Sequence, residues 1–260
     1  MKIHQVNLHM INHKINSIPL FPDALNPAAL DLVKLAALIA MFVDHANTLF
    51  LVRPEPLLYA FGRMAFPLFT LIWAMNVQRA PERLQKRANR LWVWAFITQP
   101  LFFLAFQHHQ PWYALNILFV FAGVTQLLAL NYRYGRKGIL TGILLLCLMV
   151  WPLQPASYGL PGIMLAIGLV LVYSGQTHGM YRAGIIVSML SLCSLNSVSQ
   201  IMSQPADILL FATLPTFMLP MTVVSLAASL CSDECARFMP SRFFYFAYAG
   251  HLLVTIIIGT

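Results

Sequence analysis

Nine long apolar runs dominate the sequence and restrict the folds that it can adopt. They cover about residues 28–51, 57–78, 90–107, 113–131, 137–151, 158–174, 182–199, 206–230 and 241–259, with proline and polar clusters between them. A run of about 17 to 25 apolar residues has the length that crosses a bilayer as an α-helix. Backbone amides must be paired inside hydrocarbon, and no alternating strand pattern is visible. The sequence therefore predicts an all-α, polytopic transmembrane helix bundle of about nine spans.

The charge pattern agrees with a lipid environment. Only 9% of the residues are charged, against roughly a quarter in an average soluble domain. The net charge of +8 could indicate a nucleic-acid partner, but the basic residues stand at the ends of apolar runs rather than along one solvated face. We therefore expect the lipid bilayer as a partner and no nucleic acid.

The basic residues in the connections alternate between the two sides of the predicted bundle. One side carries Lys2, Lys14, Arg79, Arg83, Lys86, Arg87, Arg90, Arg133, Arg136, Lys137, Arg182, Arg237 and Arg242. The connections of the other side hold only Arg53. Because positive charge stays on the cytoplasmic side, the amino terminus is predicted to be cytoplasmic and the carboxyl terminus external.

Residues 1–27 are predicted to form an amino-terminal tail or interfacial segment, and residues 28–260 a single transmembrane domain. The tail shows no pattern of a cleavable signal peptide. Its histidines, His4, His9 and His13, are interpreted as solvated rather than as metal ligands. Cys231 and Cys235 have no second pair or histidine nearby in sequence, which favours structural thiols over a metal site.

Prolines and one asparagine mark local features of the spans. Asn26-Pro27 is typical of a helix start. Four prolines fall inside spans, where they should kink the helices and make room for a cavity: Pro67, Pro100, Pro215 and Pro220.

Five ionisable residues lie inside the apolar runs: Lys34, Asp44, His45, Arg63 and His251. A charge at mid-bilayer costs at least about 2.5–3.5 kcal/mol, so such residues normally face a partner, a cavity or a pathway. The helical rise places the last four in one layer, in the outer half of the membrane. Lys34 and His45 are eleven positions apart, which puts them on one helix face about 16 Å from each other, within reach of one groove.

Each of these residues also has a structural interpretation. Asp44 and Arg63 could form an ion pair, and Lys34 could snorkel to the surface or pair with Asp31. His45 and His251 could be hydrogen-bonded packing residues. Asp44 and His45 are about 100° apart on the helix, so Asp44 should pair with Arg63 or His251 rather than orient His45.

The basic stretch from Arg79 to Arg90 is interpreted first as a loop that anchors the topology. Clustered cationic groups also attract phosphates, which is the second interpretation of this stretch.

Several motifs resemble those of the TraX family, the F-pilin acetylases of conjugative plasmids. The segment from Lys34 to His45 contains Asp44-His45, and the segment Gly62–Phe69 reads Gly-Arg-Met-Ala-Phe-Pro-Leu-Phe. The similarity continues through Arg90-Leu-Trp92, Pro111-Trp112-Tyr113, Asn116-Ile-Leu118, Ser157-Tyr-Gly159, Phe243-Phe244, Tyr248 and His251-Leu252. The Lys-x10-His element is also similar to the signature of wider membrane acyltransferases, which include the acyltransferase-three proteins and heparan-α-glucosaminide N-acetyltransferase.

The resemblance implies transfer of an acetyl group, with acetyl-CoA as donor, to the amino terminus of a pilin subunit at the bacterial inner membrane. Combined with the depths above, it suggests that Lys34, Arg87 and Arg90 bind the phosphates of the donor. His45 would then act as general base or as acetyl carrier, with Arg63 or a nearby backbone donor stabilising an oxyanion and Asp44 and His251 completing the site. Two other functions stay open. A proton-coupled transporter or flippase could use the carboxylate and the histidines as a proton relay, and a non-catalytic partner in pilin assembly would tolerate the loss of His45.

Overall fold

The computed structural model describes residues 25–77, 79–174, 177–195, 205–231, 236–240 and 243–259. Apart from turns, the described residues form helices, which confirms the all-α class. We number nine of them in chain order: α1 (Pro27–Phe50), α2 (Pro56–Val77), α3 (Leu84–Phe106), α4 (Ile117–Tyr134), α5 (Arg136–Leu153), α6 (Gly159–Ser174), α7 (His178–Ser194), α8 (Pro205–Leu230) and α9 (Phe243–Gly259). The predicted tail up to residue 24, with its histidines, and Cys235 lie outside the described residues.

The helices carry apolar side chains on the outside of the bundle, as expected for a protein in lipid. α2, α4, α5 and α8 are long and apolar enough to cross a membrane, and α6 and α9 are shorter apolar helices. On α5, Leu140, Leu144 and Leu148 are 73%, 61% and 70% exposed and follow one another at helical spacing. This surface identifies a membrane protein, while the number of spans and the cytoplasmic amino terminus stay predictions.

α1 begins where the sequence predicted. Pro27 is its first residue, and the side chain of Asn26 accepts a hydrogen bond from the backbone N–H of Ala29 at 2.7 Å. An asparagine cap followed by proline satisfies one of the free N–H groups of the first turn and presets the helical φ angle.

Two of the four predicted prolines accompany interruptions of a helix. In α2 a turn at Arg63 and Met64 separates Pro56–Gly62 from Ala65–Val77, and Pro67 cannot donate the bond that would return to the carbonyl of Arg63. In α8 a π-helical segment, Leu209–Thr213, ends two residues before Pro215. Pro100 and Pro220 lie inside α3 and α8.

The basic stretch before α3 differs from its prediction as a loop. A 3₁₀ turn, Pro81–Arg83, is followed directly by α3, which begins at Leu84 rather than at residue 90. The residues 84–89 are mostly strong helix formers, so the helix extends beyond the apolar run. Arg87 and Arg90 therefore stand on the first turns of α3.

α1, α2, α4 and α6 form the centre of the bundle, since about half of the residues of each are buried. α1 packs against α2, α8 and α9, while α3 packs against α4 and α9. The most apolar stretch of α2 is 67% buried, against 28% in α5 and 22% in α8, so α5 and α8 lie at the periphery.

Candidate active site

Two cavities lie along α1 and α2, and the predicted site residues divide between them. The first, the histidine cavity, has a volume of about 150 Å³ and is lined by Asp44, His45, Arg63, Phe69 and Tyr158 among others. The second, the cation cavity, has about 320 Å³ and is lined by Lys34, Arg79, Arg87, Arg90 and Arg237, together with Phe69 and other aromatic residues.

A histidine pair joins α1 to α9 beside the histidine cavity. His45 and His251 are 9% and 1% exposed. His45 Nδ1 lies 2.9 Å from His251 Nε2, and the two rings stack with centroids 5.0 Å apart. The second ring nitrogen of His251, Nδ1, is hydrogen-bonded to the backbone carbonyl of Tyr248. His45 and His251, two of the four residues that the sequence placed in one layer, are thus in direct contact.

An ion pair between Asp44 and Arg63 lines the same cavity. Arg63 Nη2 donates to both carboxylate oxygens of Asp44, at 3.2 and 3.3 Å, and the guanidinium lies 4.6 Å from the centre of the Tyr59 ring. Of the two partners predicted for Asp44, the structure gives Arg63. Arg63 Nε is buried and has no hydrogen-bond partner among the residues that the structure describes, which is rare for a buried polar atom.

Gly62 makes this ion pair possible. A Cβ atom at this position would lie 2.6 Å from Cβ of Asp44 and 2.8 Å from its carboxylate carbon. The helix break after Gly62 and the absence of a side chain there let the carboxylate pack directly against α2. Only glycine fits so close an approach.

Apolar side chains close much of the histidine cavity. Met41, Phe69, Phe102 and Phe106 line it and are each about 5% exposed. The edge of Phe106 packs against the His45 ring, with centroids 4.9 Å apart. An apolar wall strengthens electrostatic interactions in the cavity because it excludes water.

The segment between α5 and α6 contributes a wall that we did not assign from the sequence. Ser157 and Tyr158 line the cavity, and Ser157 has φ of +64°, a conformation unusual for a residue other than glycine. Tyr158 packs on Phe66, with ring centroids 5.0 Å apart. The motif Ser157-Tyr-Gly159, which carries part of the resemblance to the family, is the sequence feature that points to this wall.

The cation cavity brings together Lys34, Arg87 and Arg90, as a shared phosphate site requires. Arg79 was part of the predicted basic stretch, and Arg237 is an addition from the connection before α9. Among the described residues that line this cavity, none is acidic. The arrangement suits an anionic ligand.

Asp31 organises one side of the cation cavity. Its fully buried carboxylate accepts hydrogen bonds from Lys34 Nζ at 2.7 Å and from the backbone N–H groups of Phe238 and Met239, at 3.2 and 2.9 Å. Arg237 Nε lies 3.7 Å from the same carboxylate. The predicted pair of Lys34 with Asp31 is therefore present, and Asp31 also fastens the segment before α9.

Arg87 and Arg90 have different surroundings. Arg87 Nη1 donates to the backbone carbonyls of Asn76 and Val77, at 2.5 Å each, and so caps the carboxyl end of α2. The Arg90 guanidinium lies 5.7 Å from the centre of the Tyr245 ring, a weaker restraint. Arg87 thus has a structural task as well, whereas Arg90 is an exposed cation at the cavity.

Lys34 and His45 line separate cavities, whereas the sequence suggested that one groove could reach both. Phe69 lines both cavities and separates them. It is 5% exposed and packs edge-to-face on Phe244, with centroids 4.8 Å apart. A single aromatic side chain on α2 therefore divides the expected groove.

Comparisons with known proteins place this chain in a family. A family model described as "TraX protein" matches residues 29–259. The "Protein TraX" of Escherichia coli is 35% identical over 231 residues, which cover 88% of this chain and 86% of that protein. The "Protein TraX" of Escherichia coli strain K12 is 36% identical over 233 residues, with the same shares covered. No solved structure matches. The chain therefore belongs to the TraX family.

Proposed function

We propose that the protein is a membrane-embedded N-acetyltransferase of the bacterial inner membrane. It transfers an acetyl group from cytoplasmic acetyl-CoA to the amino terminus of a pilin subunit. The observation that carries this proposal is the pair of cavities on either side of Phe69, one lined by cations and the other by His45 and the Asp44–Arg63 pair.

The cation cavity fits the donor. Five cationic side chains line it, and the only carboxylate bonded to them is Asp31 among the described residues. Its volume of about 320 Å³ falls in the range of sites for small molecules, roughly 300–1,000 Å³. Guanidinium groups bind phosphates through paired N–H donors, so Arg90, Arg79 and Arg237 are suited to the phosphates of coenzyme A.

The histidine cavity fits the reacting groups. Its volume of about 150 Å³ is close to that of a cavity of about 150 Å³ that holds one benzene molecule. An acetyl group and a primary amine fit such a space, whereas a nucleotide does not. This size favours a short acyl group.

The chemistry needs a base and an oxyanion donor. An α-amine has a pKa of about 7.7–8.0, so part of it is neutral near pH 7. The neutral nitrogen bonds to the thioester carbonyl carbon and gives one proton to His45, while a guanidinium N–H of Arg63 stabilises the oxyanion. The C–S bond breaks, and the proton on His45 passes to the leaving thiolate. Attack by His45 itself, through an acetyl-histidine, is the second route and would leave acetylated protein when no acceptor is present.

The test uses purified protein in nanodiscs with acetyl-CoA and a peptide that carries a mature pilin amino terminus. Mass spectrometry should show the peptide heavier by one acetyl group. His45→Ala should abolish this product, while His109→Ala, which removes an exposed histidine, should not. An unmodified peptide with the unaltered protein would overturn the proposal. Solute uptake by vesicles without consumption of acetyl-CoA would favour transport instead.

A further inference from the structure

We propose that His251 is a positioning residue that holds His45 in the tautomer whose Nε2 carries the lone pair. The inference rests on the proposed function for its consequence in catalysis, but the tautomer itself can be measured without any reaction. It assigns separate tasks to two histidines that contact each other at 2.9 Å.

The direction of both hydrogen bonds follows from the backbone carbonyl of Tyr248, which is the last acceptor in the series from His45 through His251. The backbone oxygen of Tyr248 can only accept, so His251 Nδ1 must carry the hydrogen that it donates. In a neutral imidazole one nitrogen is a donor and the other an acceptor, so His251 Nε2 is then an acceptor. His45 Nδ1 must therefore donate to it, and His45 Nε2 keeps its lone pair.

The neutral form of His251 follows from its surroundings. The side chain is 1% exposed, and its described contacts are to His45, the backbone of Tyr248 and Ala247, and the rings of Phe42 and Tyr248. None of these is a carboxylate that would balance an imidazolium, and an unpaired buried charge is costly.

Aromatic contacts restrict the orientation of both rings. Phe42 packs its edge against His251, with centroids 5.2 Å apart, and Phe106 does the same for His45 at 4.9 Å. The two imidazole planes are inclined by only 26°. Rotation of either ring would break the hydrogen bond and these packings together.

Only one of the two histidines borders the reaction space. His45 lines the histidine cavity, whereas His251 is not among the residues that line it. His251 therefore acts through His45, as a partner behind a functional imidazole does when it fixes the tautomer and orientation. Loss of the partner behind a metal-ligating histidine costs about 10- to 100-fold, and we expect a loss of the same order for His45.

The test combines a spectroscopic and a kinetic measurement on the full chain in nanodiscs. Nitrogen chemical shifts of ¹⁵N-histidine-labelled protein, assigned with His45→Ala and His251→Ala, report which nitrogen of His45 carries the proton. We expect Nδ1 to be protonated in the unaltered protein and a mixture of tautomers in His251→Ala. His251→Gln should restore the Nδ1 form because its amide oxygen can accept the same hydrogen bond.

In the acetyl-transfer assay, His251→Ala should lower kcat by about 10- to 100-fold with little change in the KM of acetyl-CoA. His251→Gln should recover much of the lost kcat. If His251→Ala and His251→Gln have the same thermal stability, a merely structural role of His251 would not predict this recovery. A His45 protonated at Nε2 in the unaltered protein would overturn the inference, as would an unchanged kcat in His251→Ala. If the unaltered protein transfers no acetyl group, the proposed function fails, and the chemical shifts still decide the tautomer.

Discussion

In the histidine cavity the ionisable groups are matched with one another, whereas in the cation cavity positive charge is in excess. Asp44 pairs with Arg63 and His45 with His251. Five cations line the other cavity, and Asp31 is the carboxylate that contacts two of them. Matched groups hold each other in a fixed geometry, while an excess of one charge attracts a ligand from outside. We therefore expect changes in the first cavity to alter kcat and changes in the second to alter the binding of acetyl-CoA.

The largest effect is expected for His45→Ala. Removal of a general base costs typically about 10²- to 10⁴-fold in rate, so kcat should fall by that amount while the affinity for acetyl-CoA is retained. Stopped-time mass spectrometry of the peptide product measures this rate. A kcat equal to that of the control His109→Ala would remove His45 from the mechanism.

Arg63→Lys separates the ion pair from the oxyanion donor. Lysine keeps a positive charge for Asp44 but lacks the planar guanidinium and its Nε donor. Loss of one oxyanion donor costs about 10²- to 10³-fold in kcat, with little change in the KM of acetyl-CoA. If Arg63→Lys has a normal kcat, Arg63 serves only to neutralise Asp44.

Arg90→Gln should act on donor binding alone. A charge-assisted hydrogen bond contributes about 1.5–3 kcal/mol, or roughly 10-fold or more in affinity, and less at an exposed site. In Arg90→Gln the Kd of acetyl-CoA should rise by up to about 10-fold. Added salt should raise the Kd of this variant further, because salt screens the remaining exposed charges. Arg133→Gln removes an exposed arginine that does not line the cavity and is the matched control. An unchanged Kd in Arg90→Gln would place the phosphates elsewhere.

The smallest effect is expected for Phe69→Leu, which thins the wall between the cavities. The exchange keeps an apolar side chain but removes volume, so stability should fall by less than the roughly 3–5 kcal/mol that Phe→Ala would cost. Extra space beside the histidine cavity should raise the rate with butyryl-CoA, relative to the rate with acetyl-CoA, by a few-fold. A pocket discriminates by at most about 1–3 kcal/mol for each methylene group, so a larger change is not expected. A ratio of rates equal to that of the unaltered protein would show that Phe69 does not limit the acyl group.

Local and depth-dependent features could be predicted from the sequence. The start of α1 at Asn26-Pro27 follows from capping chemistry, and the pair of Asp31 with Lys34 follows from helical spacing. The common layer of Asp44, His45, Arg63 and His251 followed from the span boundaries and the helical rise. Each of these inferences depends only on the spacing of residues within one helix or on how deep a residue lies in the membrane.

Features that depend on packing between distant helices were not predictable. Asp31 bonds the backbone of Phe238 and Met239, more than 200 residues away in sequence. Phe69 divides the expected groove, yet it is one phenylalanine among 18 in this chain. The choice of His45 as the partner of His251 depends on how α1 and α9 are rotated, which the depth of the residues does not determine.

The most direct test of the division between the cavities is the Kd of acetyl-CoA for His45→Ala and for Arg90→Gln, measured in nanodiscs beside their rates of acetyl transfer. The proposed function predicts that His45→Ala binds acetyl-CoA as tightly as the unaltered protein and transfers the acetyl group at least about 100-fold more slowly. It predicts weaker binding and a near-normal kcat at saturation for Arg90→Gln. Equal loss of binding in both variants, or acetyl transfer by His45→Ala at the rate of the unaltered protein, would contradict it.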